Sequence, residues 1–142
     1  CVWAVAWVLL VYLKFVKENN SMKYTYILAS EPNTGPDVGG EGWQDYSSAY
    51  REWNQAAVKA GILTAGEPVH PPSTATTLRN TGGEIKLHDG PFAETKECII
   101  GWYLVECKDL EEAIEWAKKI PLVAYGFGAV EVRPVVDMTA LS

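Results

Sequence analysis

The stretch DGPFAETKE, from Asp89 to Glu97, decides how the rest of the chain is interpreted. It places a glycine–proline turn and four ionisable side chains between two strand-like segments, 84–88 and 98–106. A connection between adjacent apolar strands seldom carries so many charges. Loop residues of this kind often contribute to function, so the stretch is the first place to look for a site.

Composition limits the classes of protein to consider. The chain has 142 residues, 48% of them apolar and 21% charged, which fits one soluble globular domain. Its net charge of −6 argues against nucleic acid as a partner, and no basic run indicates an anionic membrane surface. Cys1, Cys98 and Cys107 form neither a CxxC pair nor an even disulfide framework. We therefore expect a reduced, cytoplasmic setting.

Residues 1–21 differ from the rest of the chain. Residues 1–13 form an apolar run, shorter than the roughly 20 residues that cross a bilayer. The first methionine, Met22, directly precedes a good strand. We expect residues 1–21 to be a non-native or upstream extension, residues 22–137 the domain, and residues 138–142 a C-terminal tail. The alternative is an N-terminal helix docked on a partner, since Trp3, Trp7 and Leu10 have helical spacing.

Two segments after Met22 predict the first strand and the first helix of the domain. Residues 23–29 are β-branched and aromatic, as in a strand. Residues 30–42 contain prolines and glycines and predict a loop that is longer than most connections. Residues 44–60 then repeat apolar side chains every three or four positions, which predicts a helix ending at Gly61. Its Tyr50 and Trp53 are expected in the core rather than in a ligand site.

The second half of the chain predicts an antiparallel sheet with one more helix. Residues 62–69 are short and extended, and residues 75–79 and 84–88 flank a turn-forming loop as in a hairpin. Asp109 opens a helix with Glu112 three residues later, and Pro121 stops it. A last strand covers residues 128–135. The order β-α-β-β-β-α-β, once the extra strand-like pieces around the hairpin are allowed for, predicts an α+β, ferredoxin-like two-layer sandwich of an antiparallel sheet and two helices.

The strand at residues 98–106 is apolar on both of its alternating faces, which is typical of a strand covered on both sides. A two-layer sandwich covers only one face of its sheet. The other face therefore needs a partner, and a two-fold homodimer is the commonest solution.

Asp89 to Glu97 resembles the DGPF signature of the YCII-related (DGPF domain) family, and the resemblance extends over residues 22–135. It implies a dimeric α+β barrel with a cleft between the sheet and its loops. It also implies a suspected catalytic pair of an aspartate and a histidine. Asp89 matches this aspartate by position. The family's better-known histidine lies in the first helix, where this chain has none.

Asp89 has two interpretations. It either accepts backbone N–H groups in a turn, or acts as a base in a cleft. His70, in a proline-rich loop, is the partner we predict for a catalytic pair. His88 directly precedes Asp89 in the sequence, so the side chains of His88 and Asp89 point to opposite faces of a strand. A solvated surface histidine is the alternative for both.

Further residues are candidates for contacts with a substrate. Arg79 and Arg133 either anchor an anionic substrate or form structural ion pairs, and for Arg133 the expected partners are Glu94, Glu97 or Asp89. The other predicted substrate-binding residues, besides these two arginines and His88, are Trp43, Phe92, Glu94 and Lys96. No metal constellation and no phosphate-binding loop is present in the sequence, so we predict no metal and no cofactor.

Two functions remain open from the sequence. The first is a cofactor-independent acid–base enzyme, of the lyase or isomerase type, which acts on a small organic molecule through Asp89 and His70. The second is a non-catalytic ligand-binding or regulatory protein, since members of the resembling family are often encoded beside extracytoplasmic-function sigma factors. A stable dimer whose cleft has no assigned use is the third alternative.

Overall fold

The computed structural model of the chain describes residues 2–141, with the side chains of residues 3–13 and 21–141. The four helices are α1 (Val2–Asn20), α2 (Trp43–Lys59), α3 (Leu110–Lys118) and α4 (Pro121–Ala124). The six strands are β1 (Met22–Ser30), β2 (Leu63–Pro68), β3 (Thr76–Thr81), β4 (Glu84–Asp89), β5 (Cys98–Cys107) and β6 (Ala129–Pro134). Short 3₁₀ turns lie at Pro72–Thr74 and Met138–Leu141.

Four strands form the main sheet in the order β2-β5-β1-β6, and every neighbouring pair is antiparallel. β3 and β4, which follow β2 and precede β5 in the chain, form a separate two-stranded hairpin. The predicted α+β class, with an antiparallel sheet and helices, is confirmed.

The core lies between one face of the sheet and helices α2, α3 and α4. Alternate residues of β1 point into it: Tyr24, Tyr26 and Leu28 are buried. From α2 it receives Trp53 and Ala57, both buried as the helical spacing predicts. The Trp53 indole N–H donates to the Trp116 carbonyl oxygen at 3.1 Å, which satisfies its polar group and links α2 to α3.

Helix α3 begins as the sequence predicts. The Asp109 carboxylate accepts a 2.9 Å hydrogen bond from the Glu112 N–H, as an N-cap side chain does. Pro121 differs from the prediction in one respect. α3 already ends at Lys118, and Pro121 occupies the first turn of the short helix α4, where its missing N–H costs nothing.

The hairpin is tighter than the sequence indicates. We predicted a loop over residues 80–83, but β3 continues to Thr81 and only Gly82 and Gly83 form the turn. Both have positive φ angles, 64° and 88°, as a two-residue hairpin turn of this kind requires. The Asn80 side-chain oxygen accepts from the Gly83 N–H at 2.9 Å and closes the turn.

The second face of the sheet carries large apolar side chains. The register places Ile27 of β1 beside Trp102 of β5, and Thr25 beside Leu104. Because side chains alternate along a strand, these residues lie on the face opposite the buried Tyr26 and Val105. Trp102 is 38% exposed. We call the part of this face that carries Ile27, Trp102 and Leu104 the open face.

Residues 3–13 of helix α1 expose apolar side chains on all sides. Trp3 is 90% exposed and Trp7 72% exposed. In the part of the chain that the structure describes, no helix has the length and hydropathy to cross a membrane.

Candidate functional site

Asp89 to Glu97, which we call the motif segment, is anchored on the hairpin at its first turn. The Gly90 N–H donates to the Ala75 carbonyl oxygen at 2.7 Å. The Thr77 hydroxyl donates in turn to the Gly90 carbonyl oxygen at 2.7 Å. Both polar groups of the Gly90 backbone are therefore bound to the residues at and before the start of β3.

A second group of contacts fixes the rest of the motif segment. The Arg79 guanidinium donates to the Phe92 carbonyl oxygen at 2.7 Å. Lys96 forms an exposed ion pair with Glu31, at 3.3 Å between nitrogen and oxygen. The Cys98 thiol lies 3.7 Å from the Thr95 carbonyl oxygen. The segment is thus held as a defined wall between β4 and β5.

This wall bounds a cavity with a volume of about 640 Å³, which we call the motif cleft. Its other walls are the residues after β2 and the start of β3. Most of the lining is apolar, from prolines, Val69, Phe92 and Ile99. Its polar lining residues are His70, Cys98 and four threonines; the threonines are Thr74, Thr76, Thr77 and Thr95. The volume suits a small organic molecule.

Two predicted site residues, His70 and Phe92, line the motif cleft. Asp89 does not line it, but Asp89 pairs across the hairpin with Thr76, which does. The Asp89 carboxylate is exposed and takes part in no hydrogen bond or ion pair with another described residue. The backbone therefore holds the turn without the aspartate side chain, because the Gly90 N–H is bound to Ala75 instead.

His88, Glu94 and Lys96 are exposed and do not line the motif cleft. His88 pairs with Thr77 across the hairpin, on the face opposite Asp89 as the alternation predicts. Arg133 lies away from the motif segment. It pairs with Glu131 on its own strand, at 3.2 Å, so the ion pair that we predicted with Glu94, Glu97 or Asp89 is wrong. Residues two apart on a strand share a face, which brings these two charges together.

Trp43 lines a second cavity of about 570 Å³ between α2 and strands β2 and β5. Three tyrosines, Tyr46, Tyr50 and Tyr103, also line it, together with Asn54. Burial is the main cause that raises the pKa of all three tyrosines. A contact with Asn54 partly lowers the pKa of Tyr103, and the Leu122 backbone does so for Tyr50. The three hydroxyls are thus neutral donors and acceptors at pH 7.

Sequence reasoning missed the threonines of the motif cleft and the tyrosines of the second cavity. Tyr50 was assigned to the core, and it does pack there while one side faces the cavity. Helical spacing identifies the buried side of α2 but not a gap between that side and the sheet. Among the described residues, no three His, Cys, Asp or Glu side chains are grouped so that they could hold a metal ion.

Comparison with known proteins gives the family. A family model described as the YCII-related domain matches residues 22–139, most of the chain. The chain belongs to the YCII-related domain family. Over 92 residues it is 39% identical to an uncharacterized protein of Rhizobium meliloti (strain 1021), a stretch that covers 65% of this chain and 71% of that protein. Membership of the YCII-related family names neither a reaction nor a ligand.

Proposed function

We propose that this YCII-related protein binds a small, mainly apolar organic molecule in the motif cleft. The observation that carries the proposal is the cleft itself, about 640 Å³ in volume and walled by the motif segment and the residues around His70. Ligand sites of proteins are typically concave and mostly apolar, with a few fixed polar groups. Here the polar lining residues are His70, Cys98 and four threonines.

A thermal-shift screen over small organic acids and neutral ring compounds tests this proposal, because a ligand that binds the folded state raises the melting temperature. Phe92→Ala removes an exposed ring that lines the cleft, so it should weaken the binding of a ligand found in the screen at least several-fold. Leu78→Ala is the matched control, since Leu78 is similarly exposed on the hairpin but does not line the cleft. Equal affinity in both variants would place the ligand elsewhere.

Acid–base catalysis is the second candidate function. It is favoured by His70 in the cleft wall and by the nearby Asp89 carboxylate, which forms no hydrogen bond with a described residue. Arg79, His88, Glu94, Lys96 and Arg133 remain proposed contacts for a substrate, as does Trp43 in the second cavity. His70→Gln and Asp89→Asn should each abolish turnover and preserve ligand binding if the pair is catalytic. A wild-type protein without turnover, or a variant that retains it, would contradict the catalytic role of the pair.

We also propose that the protein forms a homodimer. The strand order β2-β5-β1-β6, with helices on one side, supports a ferredoxin-like sandwich. The open face presents Ile27, Trp102 and Leu104, and a second copy covering it would give the dimeric α+β barrel. We further propose that residues 22–137 form the domain and that the protein lies in the cytoplasm.

A further inference from the structure

The loop between β1 and α2 leads to a third cavity, which the proposed function does not use. The cavity has a volume of about 390 Å³ and lies against the N-terminal end of α2. Three aromatic side chains line it, Tyr46, Tyr125 and Phe127, together with two carboxylates, Glu41 and Asp45. We call it the aromatic cavity.

The three rings form one cluster. Tyr46 meets Tyr125 and Phe127 edge to face, with ring centroids 5.4 and 5.3 Å apart, and Tyr125 stacks on Phe127 at 5.8 Å. The loop packs directly on Phe127, because a Cβ atom on Gly35 would lie 3.2 Å from the ring carbon Cδ2. Gly35 also has a φ angle of 85°, which other residues seldom adopt. The glycine brings the loop backbone close to the rings.

The charges around the aromatic cavity are negative. Glu41 and Asp45 line it, and neither forms an ion pair with another described residue. No lysine, arginine or histidine is among the described lining residues. The N-terminus of α2 contributes about half a positive charge, which the two carboxylates exceed. The cavity therefore disfavours anions.

We propose that the aromatic cavity binds an organic ammonium cation, with a quaternary or methylated ammonium group against the rings of Tyr46, Tyr125 and Phe127. The faces of aromatic rings attract such cations, and groups of rings are a known means of binding quaternary ammonium. Glu41 and Asp45 supply the opposing charge.

Choline and its uncharged carbon isostere, 3,3-dimethylbutan-1-ol, distinguish charge from shape in a titration of the full chain. Choline should bind at least tenfold more tightly than the isostere, and its N-methyl protons should show nuclear Overhauser effects to the Tyr125 and Phe127 rings. Equal affinity of the two compounds, no binding of choline, or contacts to other residues would each overturn the proposal.

Variants separate the rings from the charges. Tyr125→Leu should weaken choline binding on the order of tenfold, whereas Tyr125→Phe, which keeps the ring, should bind nearly as well as the wild type. Tyr125 is 48% exposed, so neither change should disturb the fold. Glu41→Gln should weaken binding several-fold. Glu84→Gln, with the same change of net charge at the distant hairpin tip, should not. Equal losses from Glu41→Gln and Glu84→Gln would show attraction to the protein as a whole and refute the site.

Discussion

The Arg79 guanidinium, on strand β3, donates a 2.7 Å hydrogen bond to the backbone carbonyl oxygen of Phe92. This bond joins the hairpin to the motif segment thirteen residues later in the chain. Together with the bond from Thr77 to Gly90, it holds the segment as a wall of the motif cleft. Arg79 was predicted to pair with a carboxylate or to bind an anion. Its role in the structure is to position the backbone.

Arg79→Met should loosen the motif segment without unfolding the protein. The bond is exposed, so we expect the free energy of unfolding to fall by about 1 kcal/mol or less. Backbone amides of residues 91–97 should exchange hydrogen faster, which mass spectrometry measures. Lys86→Met is the matched control, since Lys86 lies opposite Arg79 in the hairpin and forms no hydrogen bond with a described residue. Equal exchange rates in the two variants would contradict the role given to Arg79.

Thr77→Val should cost about 1 kcal/mol of unfolding free energy, because it leaves the partly buried Gly90 carbonyl oxygen without its donor. Thr77→Ser retains a hydroxyl and should lose much less. Denaturant unfolding of the two variants measures the difference. If valine is tolerated as well as serine, this hydrogen bond does not hold the motif segment.

Most elements of the domain could be predicted from the sequence, because each carries a local signal, but the short helix α4 was missed. Asp109 and Glu112 predicted the start of α3 to the residue, and the apolar spacing in α2 predicted the burial of Trp53 and Ala57. The ends of the hairpin strands were harder to predict from the sequence. Asn80 and Thr81 are typical of turns, yet cross-strand pairing with Ile85 and Glu84 keeps them in β3.

The candidate site could be predicted only in part from the sequence. His70 and Phe92 do line one cleft, which follows from their places in loops at the same end of β2 and β5. The partner of Arg133 was not predictable from motif charges, because Glu131 lies two residues away on the same strand. The ring cluster of Tyr46, Tyr125 and Phe127 joins residues about 80 positions apart in the chain, so no local sequence pattern predicts it.

Asp89→Ala should leave stability almost unchanged, within about 0.5 kcal/mol, since the carboxylate is exposed and forms no hydrogen bond with the described residues. Asp109→Ala is the matched comparison. It removes the N-cap of α3 and should cost about 1 kcal/mol. Chemical denaturation of both variants gives the values. A loss above about 3 kcal/mol for Asp89→Ala would mean that the aspartate is structural.

Trp102→Glu should convert the proposed dimer into a monomer, because it places a charge at the centre of the open face. Analytical ultracentrifugation should show the mass of a single chain, while circular dichroism shows an intact fold. Val58→Glu is the control: Val58 is 63% exposed on α2, away from this face, and its variant should remain dimeric. A wild-type protein that is monomeric at micromolar concentration would refute the dimer itself.

The stability of the protein should fall steeply above pH 10, and Tyr26 should be one cause. Burial raises the pKa of Tyr26, and nearby Cys107 and Glu112 add to this shift. Its hydroxyl is buried and donates to the Ala113 carbonyl oxygen. Below pH 10 the phenol is protonated in both the folded and the unfolded chain, so its contribution to stability is fully present. Above pH 10 the unfolded chain releases the proton and the folded chain retains it. Each pH unit then lowers the free energy of unfolding by up to about 1.4 kcal/mol for this group.

Tyr26→Phe should be less stable at pH 7 and should show a shallower decline between pH 10 and 12 in denaturant titrations. Parallel pH profiles would show that Tyr26 does not contribute to the alkaline transition.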